Sequence, residues 1–152
     1  MRRRTLALLA LAWPLWAGAQ APACTVPDHV PPAQLAGLWT LTLWPEGAQE
    51  TQASSRGAVL FERHPEYTAG VRGELRRSGA GNDLTAVVSG DVTEGEFHLD
   101  ESDDGKTMSA VWDGVAQDCA GQLSITGTRR PAEGRGEGTA LRFRLERASG
   151  WR

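Results

Sequence analysis

From Leu35 onward the chain alternates apolar and polar residues at period two, and no stretch holds apolar residues at three-four spacing for long. That pattern belongs to half-buried strands rather than helices. Leu38 to Trp44 sets Trp39, Leu41 and Leu43 on one face against Thr40 and Thr42. Ala58 to Arg63 sets Val59 and Phe61 against Leu60 and Glu62, and the next run sets Val71, Gly73 and Leu75 against Arg72, Glu74 and Arg76. Leu84, Ala86, Val88 and Gly90 then oppose Thr85, Val87, Ser89 and Asp91, and Phe97 and Leu99 oppose Glu96, His98 and Asp100. Met108, Ala110, Trp112 and Gly114 oppose Ser109, Val111 and Asp113. Leu123, Ile125 and Gly127 oppose Ser124, Thr126 and Thr128, and Leu141, Phe143 and Leu145 oppose Arg142, Arg144 and Glu146. The reading is eight strands, each with one wet face.

Glycine-bearing connections, Ser78 to Asp83, Thr93-Glu94-Gly95, Asp103-Asp104-Gly105 and Cys119-Ala120-Gly121, separate several of these runs as hairpins require. Two connections are longer and polar, Pro45 to Arg56 and Arg129 to Gly138, the second expected to be mobile. Successive antiparallel strands with one apolar face favour an all-β, eight-stranded up-and-down β-barrel, because closure removes both sheet edges. A two-sheet sandwich is the alternative. The inward glycines Gly73, Gly90, Gly114 and Gly127 favour the barrel, since glycine on a concave face permits sharp bending.

The stretch before Leu35 has another character. Arg2, Arg3 and Arg4 precede an apolar run from Thr5 to Trp16, too short to span a bilayer, and Ala17-Gly18-Ala19 completes a signal peptide cut before Gln20. Arg3-Arg4-Thr5-Leu6 hints at twin-arginine export, while the leucine-rich run fits the general secretory route better. Residues 20–34, with Pro22, Pro27, Pro31 and Pro32, are expected to form an extended arm, and residues 35–152 the barrel domain. The mature chain has no membrane span and is placed in the periplasm or secreted.

Export changes the reading of Cys24 and Cys119, the only two cysteines. In an oxidising compartment they are expected to pair. Parity supports this: Cys119 follows the sixth strand and Cys24 precedes the first, so an up-and-down barrel brings both to one end. A lipidated Cys24 would need a lipobox, and Ala21-Pro22-Ala23 is a poor one. Cleavage leaves 13 basic against 19 acidic residues, near −6, which argues against nucleic acid or an anionic membrane as partner.

Candidate chemistry is sparse. Asp100 to Gly105 opens like a calcium loop, but position twelve would be Val111 and a strand follows, so an acidic hairpin tip is the better reading. His98 with Asp100, and Glu62 with His64, each offer two ligands without a third, so no metal and no cofactor is assigned. His29 stands alone, no G-x-S-x-G elbow is present, and an enzyme is not expected. Trp39 and Trp112 fall on inner faces, Trp44 at a strand end and Trp151 at the C-terminus. The inner tryptophans either fill the core or line a cavity.

Gly37-Leu38-Trp39 resembles the first strand of calycin-type barrels, the group containing lipocalins and avidins. In lipocalins that tryptophan closes one barrel end, often beneath an arginine from the last strand. Arg142 and Arg144 lie in that strand here but face outward by parity. The lipocalin T-D-Y-like turn and a biotin-pocket pattern are absent. Leu35 to Leu41 is also similar to the opening strand of small periplasmic metalloprotease inhibitors, eight-stranded barrels that insert an N-terminal arm into the protease. Their disulfide links nearby positions, unlike Cys24 and Cys119.

The expected function is an exported binding protein taking a small apolar ligand in its interior or open mouth, with Trp39, Leu41, Phe61, Phe97, Trp112 and Phe143 lining the site. The alternatives are an envelope-protein partner captured by a protein-binding module or protease inhibitor, and a structural envelope protein with no ligand.

Overall fold

A computed structural model describes residues 23–79, 82–135 and 138–149. The expected signal peptide and Trp151 lie outside the described residues. A two-residue strand β1 (Cys24–Thr25) and one helical turn α1 (Pro32–Leu35) precede the barrel. The barrel strands are β2 (Gly37–Pro45), β3 (Ser55–Arg63), β4 (Val71–Gly79), β5 (Asn82–Thr93), β6 (Glu96–Ser102), β7 (Ala110–Cys119), β8 (Gln122–Pro131) and β9 (Leu141–Arg147). Each pairs antiparallel with the next, and β9 returns to pair with β2 through Leu43↔Phe143 and its neighbours. The sheet is therefore a closed eight-stranded antiparallel barrel, with β1 as a short extra strand beside β7.

Inward glycines make the closure sterically possible. A β-carbon on Gly73, Gly90, Gly114 or Gly127 would run into the backbone carbonyl oxygen of Leu60, His98, Thr126 or Asp113 on the neighbouring strand. Gly114 and Gly127 stand directly opposite each other, so the wall bends most freely where β7 meets β8.

The inner faces meet in one apolar core. Trp39, Leu41, Phe61, Phe97, Trp112 and Phe143 are each at most 1% exposed. Phe143 lies 5.0 Å from Trp112 and 5.9 Å from Phe97 between ring centroids, and Trp39 packs edge-on to Phe61 at 6.4 Å. Such tilted aromatic contacts fill the width that an eight-stranded barrel leaves inside.

One end is sealed by the segment before β2. Cys24 and Cys119 form a disulfide and pair in register between β1 and β7. His29 bridges to Thr93, Val30 and Leu35 are buried, and the Trp39 indole donates to the Leu35 carbonyl at 2.7 Å. Within the stretch expected to be extended, Pro32 opens the single turn of α1, where a missing N–H costs nothing.

The structure corrects two details of the sequence reading and supplies an arginine that it did not name. Met108 precedes β7 and is 46% exposed, so it belongs to the β6–β7 connection rather than to an inner face. Strand β8 runs on to Pro131, which takes Arg129 and Arg130 out of the connection expected to be mobile. The arginine beside Trp39 is neither Arg142 nor Arg144. It is Arg147, whose guanidinium carbon lies 5.3 Å from the Trp39 ring centroid and which donates to the carbonyls of Gln34 and Ala36.

Candidate functional site

The opposite end of the barrel is formed by the ends of β2, β4, β6 and β8 and the starts of β3, β5, β7 and β9. Four inward positions there carry Arg77 on β4, Glu101 on β6, Trp112 on β7 and Arg129 on β8. Each continues the parity of the buried residue two places along its strand, Leu75, Leu99, Ala110 and Gly127 respectively. Apolar alternation thus gives way to charge where the barrel opens to water.

Glu101 is only 4% exposed and is held from two sides. Arg129 meets it with two parallel bonds, Nε to Oε2 at 2.8 Å and Nη2 to Oε1 at 2.9 Å. The Trp112 indole donates to Oε2 at 2.8 Å. Burial alone would push the Glu101 carboxyl upward. The Arg129 bonds and charge, the Trp112 bond and the more distant Arg77 charge outweigh it and hold the group below the usual carboxylate range. Arg129 also lies over the Trp112 ring, 5.9 Å from guanidinium carbon to centroid.

Arg77 is left over from this pairing. Its Nε is buried and has no hydrogen-bond partner. Desolvation first, and then the neighbouring Arg129 charge, lower its pKa, while Glu101 acts in the opposite direction. An unsatisfied buried donor costs about 1–3 kcal/mol, and more when charged. The mouth therefore holds one carboxylate saturated by Arg129 and a second guanidinium without a hydrogen bond.

These groups line a shallow cup of about 240 Å³ with an apolar wall of Leu75, Leu84, Ala86 and Pro131. Arg135 and Asp103 complete its charged rim, 3.8 Å apart. None of the six residues expected to contact a ligand lines this cup; all six belong to the buried core, where Trp112 meets the cup through its bond to Glu101. Two wider grooves lie on the outer wall. One of about 660 Å³ exposes Leu60, Val87 and Met108, and one of about 610 Å³ runs past His98, Asp113 and Arg142.

The remaining candidates resolve into local structure. His98 pairs across to Asp113, Nδ1 to Oδ1 at 2.6 Å, rather than with Asp100, and Arg130 binds the other Asp113 oxygen. His64 Nδ1 accepts the backbone N–H of Tyr67 at 2.9 Å, so it organises the β3–β4 turn. Asp104 accepts the N–H groups of Lys106 and Thr107, each at 2.8 Å, and the Thr107 hydroxyl at 2.6 Å. The Thr107 bonds and then the Lys106 bond hold its carboxyl far below the usual range, and they mark an acidic hairpin turn. Among the described residues, no group of three His, Cys, Asp or Glu side chains could hold a metal ion, and no helix is long and apolar enough to cross a membrane.

Fold and site together define a class: a disulfide-pinned, closed antiparallel β-barrel, compatible with a calycin-like build, sealed at one end and polar at the other. No family model matches the chain, and no curated protein matches it.

Proposed function

We propose that the chain is an exported small-barrel binding protein whose ligand enters the open mouth rather than a hollow interior. The observation that carries this reading is the cup at the mouth, where charged groups converge beside an apolar wall above a filled core. Barrel mouths are a preferred place for such sites. A packed interior suits a ligand that rests its apolar part on the exposed Leu84 instead of threading the barrel.

A calycin-like relationship gains support from Arg147 over Trp39, the arrangement that the Gly37-Leu38-Trp39 resemblance implies. The disulfide fits the periplasm or the cell exterior. An arm-inserting inhibitor fits less well. Cys24, His29, Val30 and Leu35 all tie the arm to the sealed end, leaving little of it to reach a partner. Catalysis also lacks support, since the cup hydroxyl of Ser109 donates to the Glu101 carbonyl and no histidine lines the cup.

Native mass spectrometry and thermal shift of protein purified from its own envelope test the reading. A bound small molecule, or stabilisation by a small-molecule extract that Leu84→Glu at the cup wall removes, is the expected result. No bound mass and no stabilisation by any extract would refute it.

A further inference from the structure

We infer that the cup at the open mouth is an anion subsite, with Arg77 receiving the carboxylate of a small organic acid whose short apolar body lies against Leu84. This rests on the mouth being the ligand site and adds the chemical class of the ligand. The argument is one of pairing. Glu101 offers two oxygens, and Arg129 takes both while the Trp112 indole shares one. Arg135 at the rim turns to Asp103 and Asp104. Arg77 has no such partner, and its buried Nε makes no hydrogen bond to the protein.

Among the described groups of the cup and its rim, Arg129 is matched by Glu101 and Arg135 by Asp103 and Asp104, so Arg77 is the one guanidinium without a carboxylate bonded to it. Arg77 is half-buried as a residue and lines the cup, while its Nε is buried. A guanidinium presents its donors as a planar fork that matches a carboxylate with two bonds. A bound carboxylate would extend the alternation already present, from Arg129 to Glu101 to Arg77 to ligand. The position of Leu84 in register with Arg77 puts an apolar surface directly beside that fork. A neutral ligand would leave the Arg77 guanidinium without a carboxylate, and a cationic one would meet Arg77 and Arg129.

Calorimetric titration of the folded, oxidised protein with hexanoate, hexanol and hexylammonium tests the assignment. Hexanoate should bind at least about tenfold more tightly than hexanol, and hexylammonium not at all. Arg77→Met should abolish the preference for hexanoate and Arg77→Lys should retain part of it. Arg72→Met, on the outer wall, should change neither. Circular dichroism checks that each variant keeps the barrel. Equal binding of hexanoate and hexanol, indifferent to Arg77→Met, would overturn the anion subsite while leaving a mouth that binds ligands. Equal losses in Arg72→Met and Arg77→Met would reduce it to general charge attraction and overturn it too. Failure of all three probes to bind would also overturn it, and the extract experiment then decides the broader reading separately.

Discussion

Arg129 and Glu101 join over strand β7 at the open end of the barrel through two parallel hydrogen bonds of 2.8 and 2.9 Å, their side chains 12% and 5% exposed. A pair this dry stabilises chiefly by remaining intact, because removing one partner strands the other charge. Glu101→Gln leaves Arg129 and Arg77 both uncompensated and should cost about 3 kcal/mol or more of folding stability, measured by urea unfolding. The double variant Glu101→Gln, Arg129→Met should recover part of that loss.

Stability should also follow pH through this carboxyl. The folded pKa of Glu101 is depressed, so its contribution is complete above the unfolded glutamate value, about 4.3, and is lost as pH falls through the folded value. Unfolding midpoints of the wild type should therefore fall with acidification below about pH 5, and those of Glu101→Gln should fall less steeply. Parallel slopes would remove Glu101 from the acid response.

Arg147 seals the other end. It lies over Trp39 and donates to two carbonyls just before β2. Arg147→Met keeps most of the packing and removes the charge and both donors. About 1–2 kcal/mol should be lost, with faster hydrogen exchange at Ala36 and at the Trp39 indole than at the open mouth.

Reduction of the disulfide should act on stability more than on architecture. The bond closes a separation of 95 residues, for which the chain-entropy model gives about 4–5 kcal/mol. A Cys24→Ser, Cys119→Ser variant should unfold at lower denaturant yet keep the strand spectrum, since β2 to β9 close without β1. By contrast, Gly127→Ala places a methyl against the Asp113 carbonyl and should cost about 2 kcal/mol or more while leaving the disulfide formed.

The barrel was legible in the sequence because alternation and closure are local and repetitive. Val59 and Phe61, or Phe97 and Leu99, announce their faces without reference to any partner, and the parity of Cys24 and Cys119 follows from strand count alone. The mouth was not legible for a related reason. Reading by apolar alternation ends each strand at its last apolar or small inward residue, at Leu75, Leu99, Gly127 and Leu145. Arg77, Glu101, Arg129 and Arg147 each lie one period further on the same face. Charge at an inward position looks like a strand end, although barrel ends are where water makes inward charge affordable. Carrying the period one step further would have found all four. Their pairing could not be found that way, because Glu101 meets Arg129 across β7 and only three-dimensional closure brings them together.

Two indole N–H groups report on the central claim from opposite ends of the same barrel. Trp112 donates to Glu101 at the mouth and Trp39 donates to Leu35 at the sealed end. Nitrogen-15 spectra recorded during titration with the molecule recovered from the envelope should show the Trp112 indole resonance moving while that of Trp39 stays fixed. Movement of the Trp39 resonance, or a bound ligand that moves neither, would contradict a site at the mouth.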